Sequence, residues 1–232
     1  MIKAILFDID NTLLGFREMK RACFEEAIDA MIRAGWKANK ERALNDLVEL
    51  YEEYGMEYEK TFQKLLEKQG GKVDYRLLAH GINTYRIFRV NYLIPYPNVL
   101  TTLSELKKKY HLAVVTDAPR IKAWMRLVTM KLDDFFELVV TKGDVKREKT
   151  SETPFRSALR ILKLKTSEVI MIGDRIPRDV KTPQKMGIKT VYARYGDSTP
   201  VPKGKSGADF EIDDISELLK IMKILEKRKT KK

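Results

Sequence analysis

Five aspartates, a threonine and a lysine stand where this chain could do chemistry. Asp8 and Asp10 close the apolar run Ile2-Lys3-Ala4-Ile5-Leu6-Phe7. Thr116 and Asp117 close Leu112-Ala113-Val114-Val115. Asp174 closes Val169-Ile170-Met171-Ile172-Gly173, and Asp179 follows shortly after. Alternation along an extended strand puts Asp8 and Asp10 on one face. Two anions that close repel unless one is protonated or a cation lies between them. An Asp/Asn turn closing a strand is the competing reading, since both residues favour turns. Together with Asp174 the pair makes an all-oxygen cluster suited to a hard cation such as Mg²⁺. Thr116 adds a neutral donor and Lys149 a positive charge, which complement the oxygens of a phosphoryl group. Backbone N–H groups around Ile9 and Asp117 extend that anion site.

These residues must be carried to one place, and the order of elements says how. Short runs rich in Ile, Val and Phe read as strands buried on both faces, the kind found in parallel sheets. Beyond Pro97 strand and helix alternate, with strands at 112–115, 138–140, 169–172 and 188–192 and a final helix over 214–225. That grammar argues an α/β fold, a doubly wound parallel sheet. Parallel strands place all their carboxyl ends along one edge, where open α/β sheets bind ligands. Between Gly15 and Leu93 no strand run occurs. Apolar residues recur there at helical spacing in four stretches, broken near Gly35, Gly55 and Gly70-Gly71. The expected division is residues 1–14 with 94–226 as the sheet domain, 15–93 as an inserted all-helical domain, and 227–232 as a basic tail. Asn98 is expected to cap one helix, and Asp117 with Pro119 to begin another.

Composition narrows the partners. The net charge of +12 in 232 residues invites a nucleic-acid reading. Part of it lies in Lys227, Arg228, Lys229, Lys231 and Lys232, and the rest is scattered among acids in helical stretches, so a solvated face with a basic tail accounts for it. No apolar run approaches the roughly 20 residues of a membrane span, and no signal-peptide pattern opens the chain. Cys23 is alone, which excludes an internal disulfide and points to the cytoplasm. Its helical surroundings suit a packed thiol better than a nucleophile. The aromatics Tyr51, Tyr54, Tyr58, Tyr85 and Phe88 read as core of the helical insertion. Considered singly, Lys149 reads as a surface lysine and Asp179 as a first-turn acid favoured by the helix dipole.

With these residues assembled, the chain resembles the haloacid dehalogenase superfamily over nearly its whole length. The family's first motif, DxDx[TV], stands as Asp8-Ile9-Asp10-Asn11-Thr12. The second stands as Val114-Val115-Thr116-Asp117, and the fourth, GDxxxxD, as Gly173-Asp174-Arg175-Ile176-Pro177-Arg178-Asp179. The third departs: Lys-Pro-x-Pro-x-x-Phe in many relatives is here Lys149-Thr150-Ser151-Glu152-Thr153-Pro154-Phe155. Lys146 therefore remains an alternative phosphate-binding lysine. The resemblance implies a Rossmann-like core in which the 15–93 insertion is the family's helical cap, closing over the site and carrying substrate contacts. Among capped members the chain is similar to archaeal phosphatases of small sugar or triose phosphates.

By the same resemblance, Asp8 is the nucleophile that becomes an aspartyl-phosphate, and Asp10 is the acid and base. Mg²⁺ is implied between the Asp8 carboxylate, the Asp10 carbonyl and Asp174, with Asp179 supporting. The implied partner is a small phosphorylated metabolite. A haloacid dehalogenase has no use for the acid at Asp10, whereas a sugar phosphomutase uses both acids. A nucleic-acid-binding protein on the same fold is the alternative outside enzymes.

Overall fold

The structure is a computed structural model that describes residues 1–55, 57–70 and 72–227. The expected tail beyond Lys227 and the helix stop at Gly71 lie outside the described residues. Two compact units divide the chain, residues 1–15 with those from 94 onward, and Phe16–Leu93. Gly15 thus joins the first unit, one residue away from the expected boundary. No described helix is long and apolar enough to cross a membrane.

The first unit is built on six parallel strands, β1 Ala4–Phe7, β2 His111–Thr116, β3 Leu138–Thr141, β4 Val169–Gly173, β5 Lys189–Ala193 and β6 Phe210–Ile212. Their order across the sheet is β3-β2-β1-β4-β5-β6. β1 is central because its four residues, Ala4 to Phe7, are all fully buried, so both edges and both faces must be covered. Phe7 stands opposite Val114 of β2 and Ile172 of β4. The strand order reverses on either side of β1, which makes its carboxyl end a topological switch point. One side of the sheet packs Leu6, Val115, Val140 and Met171 against Phe155 and Leu159.

Local chemistry moved several boundaries. β6 escaped the sequence reading because three residues bearing a central Glu211 show no apolar run. The last helix begins at Glu217, not Asp214, because Asp214 accepts the Ser216 N–H in a turn of its own, 2.8 Å away. That helix runs through Lys227, so the tail starts one residue later than expected. Asn98 precedes the helix Val99–Lys107 with a left-handed backbone and no side-chain cap; its amide donates to Asp214 at 3.0 Å instead. After β4 the chain forms a wide turn, Ile176–Lys181, and a short helix, Thr182–Lys185.

The second unit holds four helices, α1 Phe16–Arg33, α2 Lys40–Tyr54, α3 Thr61–Gly70 and α4 Tyr75–Tyr92. Asn39 caps α2 through the Arg42 N–H at 2.9 Å, and Asp74 caps α4 through Arg76 at 2.8 Å. Their apolar stripes meet in a core of their own, with Phe24, Ile28, Met31, Leu47, Phe62 and Leu65 buried. Tyr51 and Tyr85 pack on that core, with rings 5.4 and 5.6 Å from Phe24. Tyr54 does not: it is exposed and stacks on Tyr58. Cys23 is buried beside Met19, and burial pushes its thiol up to about 11, so it is a packed sulfur. Because this core is separate, Leu47→Ala should cost about 2–5 kcal/mol within residues 16–93. Hydrogen exchange should show amides of α1 to α4 losing protection while those of β1 and β4 keep theirs.

Candidate active site

The carboxyl edge of the sheet gathers the motif residues. Asp8 follows β1 directly, and its N–H donates to the Ile172 carbonyl at 2.9 Å, prolonging the β1–β4 pairing by one residue. Asp174 follows β4, and Thr116 ends β2. Lys149 comes from the loop before the helix Thr153–Leu162, and Asp179 from the wide turn after β4. All five are buried.

Oxygens of Asp8, Asp174 and Asp179 lie within 4.8 Å of one another. Lys149 Nζ sits 2.8 Å from Asp8 Oδ1 and 2.7 Å from Asp179 Oδ1. Lys149 is 2 % exposed, whereas Lys146 is exposed at the left-handed end of the short helix Lys142–Val145. Lys149 is therefore the lysine placed at the site. Asp179 can come this close because residue 173 has no side chain. A Cβ on Gly173 would meet Asp179 Cγ at 2.3 Å. The other Asp179 oxygen accepts the Arg175 N–H at 3.0 Å.

Asp10 stands apart from that cluster. Strand alternation predicts its carboxylate beside Asp8, but β1 ends at Phe7 and the chain turns, with the Leu13 N–H reaching the Ile9 carbonyl at 2.8 Å. The acid cluster is accordingly Asp8, Asp174 and Asp179, in place of Asp8, Asp10 and Asp174. Asp10 Oδ2 meets Arg126 Nη1 at 2.9 Å, a partner the sequence reading missed. The turn is braced from the segment after β5. Tyr195 donates its hydroxyl to the Thr12 carbonyl at 2.8 Å, and a Cβ on Gly196 would lie 1.6 Å from the Asn11 carbonyl oxygen.

Asp117 also differs from expectation. It caps no helix, since Pro119 precedes the helix Arg120–Thr129 without a side-chain bond. One Asp117 oxygen accepts the Lys149 backbone N–H at 2.8 Å, and the other accepts Arg178 Nη1 at 2.8 Å. Arg178, given no role from the sequence, thus ties the fourth motif to the second. Thr116 Oγ1 accepts the Ala118 N–H at 3.2 Å, which fixes the hydroxyl at the head of that turn.

Burial dominates the electrostatics. It pushes the Asp174 carboxyl up to about 8, and the charges of Asp8 and Asp179 push the same way. Burial raises Asp179 to about 6 against the pull of Lys149. Burial alone would lower the Lys149 ammonium, but Asp179, Asp8 and Asp117 outweigh it and hold the group charged. A site with more carboxylates than cations, all oxygen donors and out of water, fits a hard divalent ion. Asp8, Asp174 and Asp179 are the residues that could hold one.

Comparison with known proteins agrees with this arrangement. Residues 5–193 match the family model described as haloacid dehalogenase-like hydrolase. The chain belongs to that family. It is 34% identical over 228 residues to a glyceraldehyde 3-phosphate phosphatase of Methanocaldococcus jannaschii, covering 98% of this chain and 100% of that protein. It is 29% identical to a pyrophosphatase of Bacillus cereus, covering 95% and 96% of the two chains. Among solved structures, a HAD hydrolase of Bacillus subtilis bound to magnesium shares the fold at a TM-score of 0.72 and 22% identity, over 96% of this chain and 99% of that one.

The raised acids of this family member have a consequence for stability. Between about pH 4 and 8 the folded chain holds a proton on Asp174 that the unfolded chain has released, and over about pH 4 to 6 the same holds for Asp179. Metal-free protein should therefore lose stability as pH rises through that window, by at most about 1.4 kcal/mol per pH unit for each carboxyl. A divalent cation replaces those protons, so Mg²⁺ should flatten the slope. Thermal melts from pH 5 to 8 in EDTA and in Mg²⁺ test this, and a melting temperature that stays level in EDTA would contradict it.

Proposed function

We propose that this chain is a Mg²⁺-dependent phosphatase of small phosphoesters, triose phosphates foremost, acting through an aspartyl-phosphate on Asp8. The observation that carries the reading is the buried Asp8 carboxylate, 2.8 Å from Lys149 and with an oxygen within 4.8 Å of oxygens of Asp174 and Asp179. The triose phosphate comes from the name of the Methanocaldococcus relative. Asp8, Asp174 and the Asp10 carbonyl would hold Mg²⁺, with Asp179 supporting them. Bound there, the ion offsets the negative charge that would otherwise keep a phosphoryl group from a carboxylate.

The chain's own residues do the rest. Asp8 attacks phosphorus, forming a P–O bond to its carboxylate as the ester P–O bond breaks, and Asp10 gives the leaving oxygen its proton. Water then attacks phosphorus, Asp10 takes a proton from it, and the Asp8–phosphorus bond breaks to release inorganic phosphate. Lys149 and Thr116, with the N–H groups of Ile9 and Asp117, complement the phosphoryl oxygens. Retention of Asp10 favours phosphoryl transfer over dehalogenation, which needs no proton donor there.

Phosphate release from glyceraldehyde 3-phosphate, glucose 1-phosphate, pyrophosphate and a folded phosphoprotein tests the reading. Turnover of the triose phosphate should exceed the others, stop in excess EDTA, and vanish in Asp8→Asn, whose circular dichroism should match the native protein. Turnover by purified Asp8→Asn would refute the nucleophile. Faster release from pyrophosphate would move the substrate to the chemistry named for the Bacillus relative.

A further inference from the structure

Arg126 is a guanidinium in an apolar place. It lies on the helix Arg120–Thr129, on the face that buries Ala123 and Leu127 against the sheet unit, and it is 4 % exposed. The other charged residues of that helix lie on its outer side, where Ile121, Trp124, Met125 and Val128 are exposed as well. Burying a guanidinium is costly unless a partner and hydrogen bonds compensate. An aliphatic side chain of similar length would suit the face as well, since such replacements of buried ion pairs are often neutral or stabilising. Packing therefore does not explain the charge.

Its bonding does. Arg126 Nη1 reaches Asp10 Oδ2 at 2.9 Å, with the Arg126 side chain 5% exposed and that of Asp10 21%. Asp10 lies outside β1, its backbone held by a single bridge to Leu14, so no continuous strand ladder sets its side-chain direction. The pair is held by charge rather than by an aligned hydrogen bond from Nη1, and a fixed cation beside Oδ2 draws that side of the carboxylate toward the helix. The helix carrying Arg126 begins at Arg120, four positions after Thr116, so the element that follows the second motif also holds the acid of the first.

We infer that Arg126 is a positioning residue that holds the Asp10 carboxylate in its working direction, an inference that rests on Asp10 being the acid and base of the phosphatase proposed above. Arg126 pairs with Asp10, and through that carboxylate it acts on the proton transfers. A misdirected acid and base slows both proton transfers and leaves phosphate binding at Lys149 and Thr116 in place. The signature is a fall in kcat with KM little changed.

Purified Arg126→Gln and Arg126→Lys, compared with native protein in Mg²⁺ and triose phosphate, test the inference. Arg126→Gln should lose about 10- to 100-fold in kcat with KM within about threefold, the range that misplacement of a catalytic group produces. Arg126→Lys should recover part of that loss by restoring a cation. In an Asp10→Asn background, Arg126→Gln should change the residual rate by less than about twofold, because the group it positions is gone. A kcat for Arg126→Gln within twofold of native, or an equal loss in both backgrounds, would overturn the inference. Turnover by Asp8→Asn would instead overturn the phosphatase reading beneath it, so the two failures are told apart. Should Arg126→Gln fail to fold, Arg126→Met, which keeps the length and apolar stem, takes its place under the same criteria.

Discussion

Three carboxylates buried within 4.8 Å of one another repel, and little water is near to screen them. The chain answers with one ammonium, Lys149, set between Asp8 and Asp179 and itself 2 % exposed. Much else follows from keeping that lysine in place. Asp117 grips its backbone, Arg178 grips Asp117, and Gly173 clears the space through which Asp179 approaches. One cation among three carboxyls leaves the cluster short of positive charge, so Asp174 keeps its proton up to about pH 8. The same shortage of positive charge is what a hard divalent ion would relieve.

The sheet makes such a cluster possible without any long-range coincidence. With β1 at the centre and the strand order reversing beside it, residues from three strands reach one edge, and two loops need cross only a strand or two. The apolar strands can be dense because the charged residues are confined to positions just past their ends. Separation of labour is visible along β4: Val169 to Ile172 are buried apolar residues, and Asp174 is the first acid beyond them.

Asp8, Thr116 and Asp174 were legible because each closes an apolar run, and a run ending in a polar group stands out against any background. The parallel sheet and the helical insertion followed from the same alternation of periods. What escaped was bonding that no period reports. Asp8 and Asp10 looked equivalent, yet a turn at Ile9 sends one to the acid cluster and the other to Arg126. Arg126 had a signal in principle, a lone cation on the buried stripe of its helix beside Ala123 and Leu127. Asn98 and Asp117 looked like caps because their residue types favour caps, but tertiary partners, Asp214 and Lys149, took their side chains. β6 was too short and too polar to register, and only its neighbour β5 makes it a strand.

The brace between Tyr195-Gly196 and Asn11-Thr12 has a consequence for the order in which the molecule can be made. The hydrogen bond from Tyr195 to Thr12 spans 183 positions of sequence. The loop after β1 leaves the ribosome before the residues that hold it, which emerge only after β2, β3, β4 and β5. β1 likewise waits for β4 before both its edges are covered. During translation the helical unit, whose contacts lie within residues 16–93, can fold early, while the apolar N-terminal strand must be kept from other partners. The central strand of the finished sheet is thus made before all five of the strands it will join.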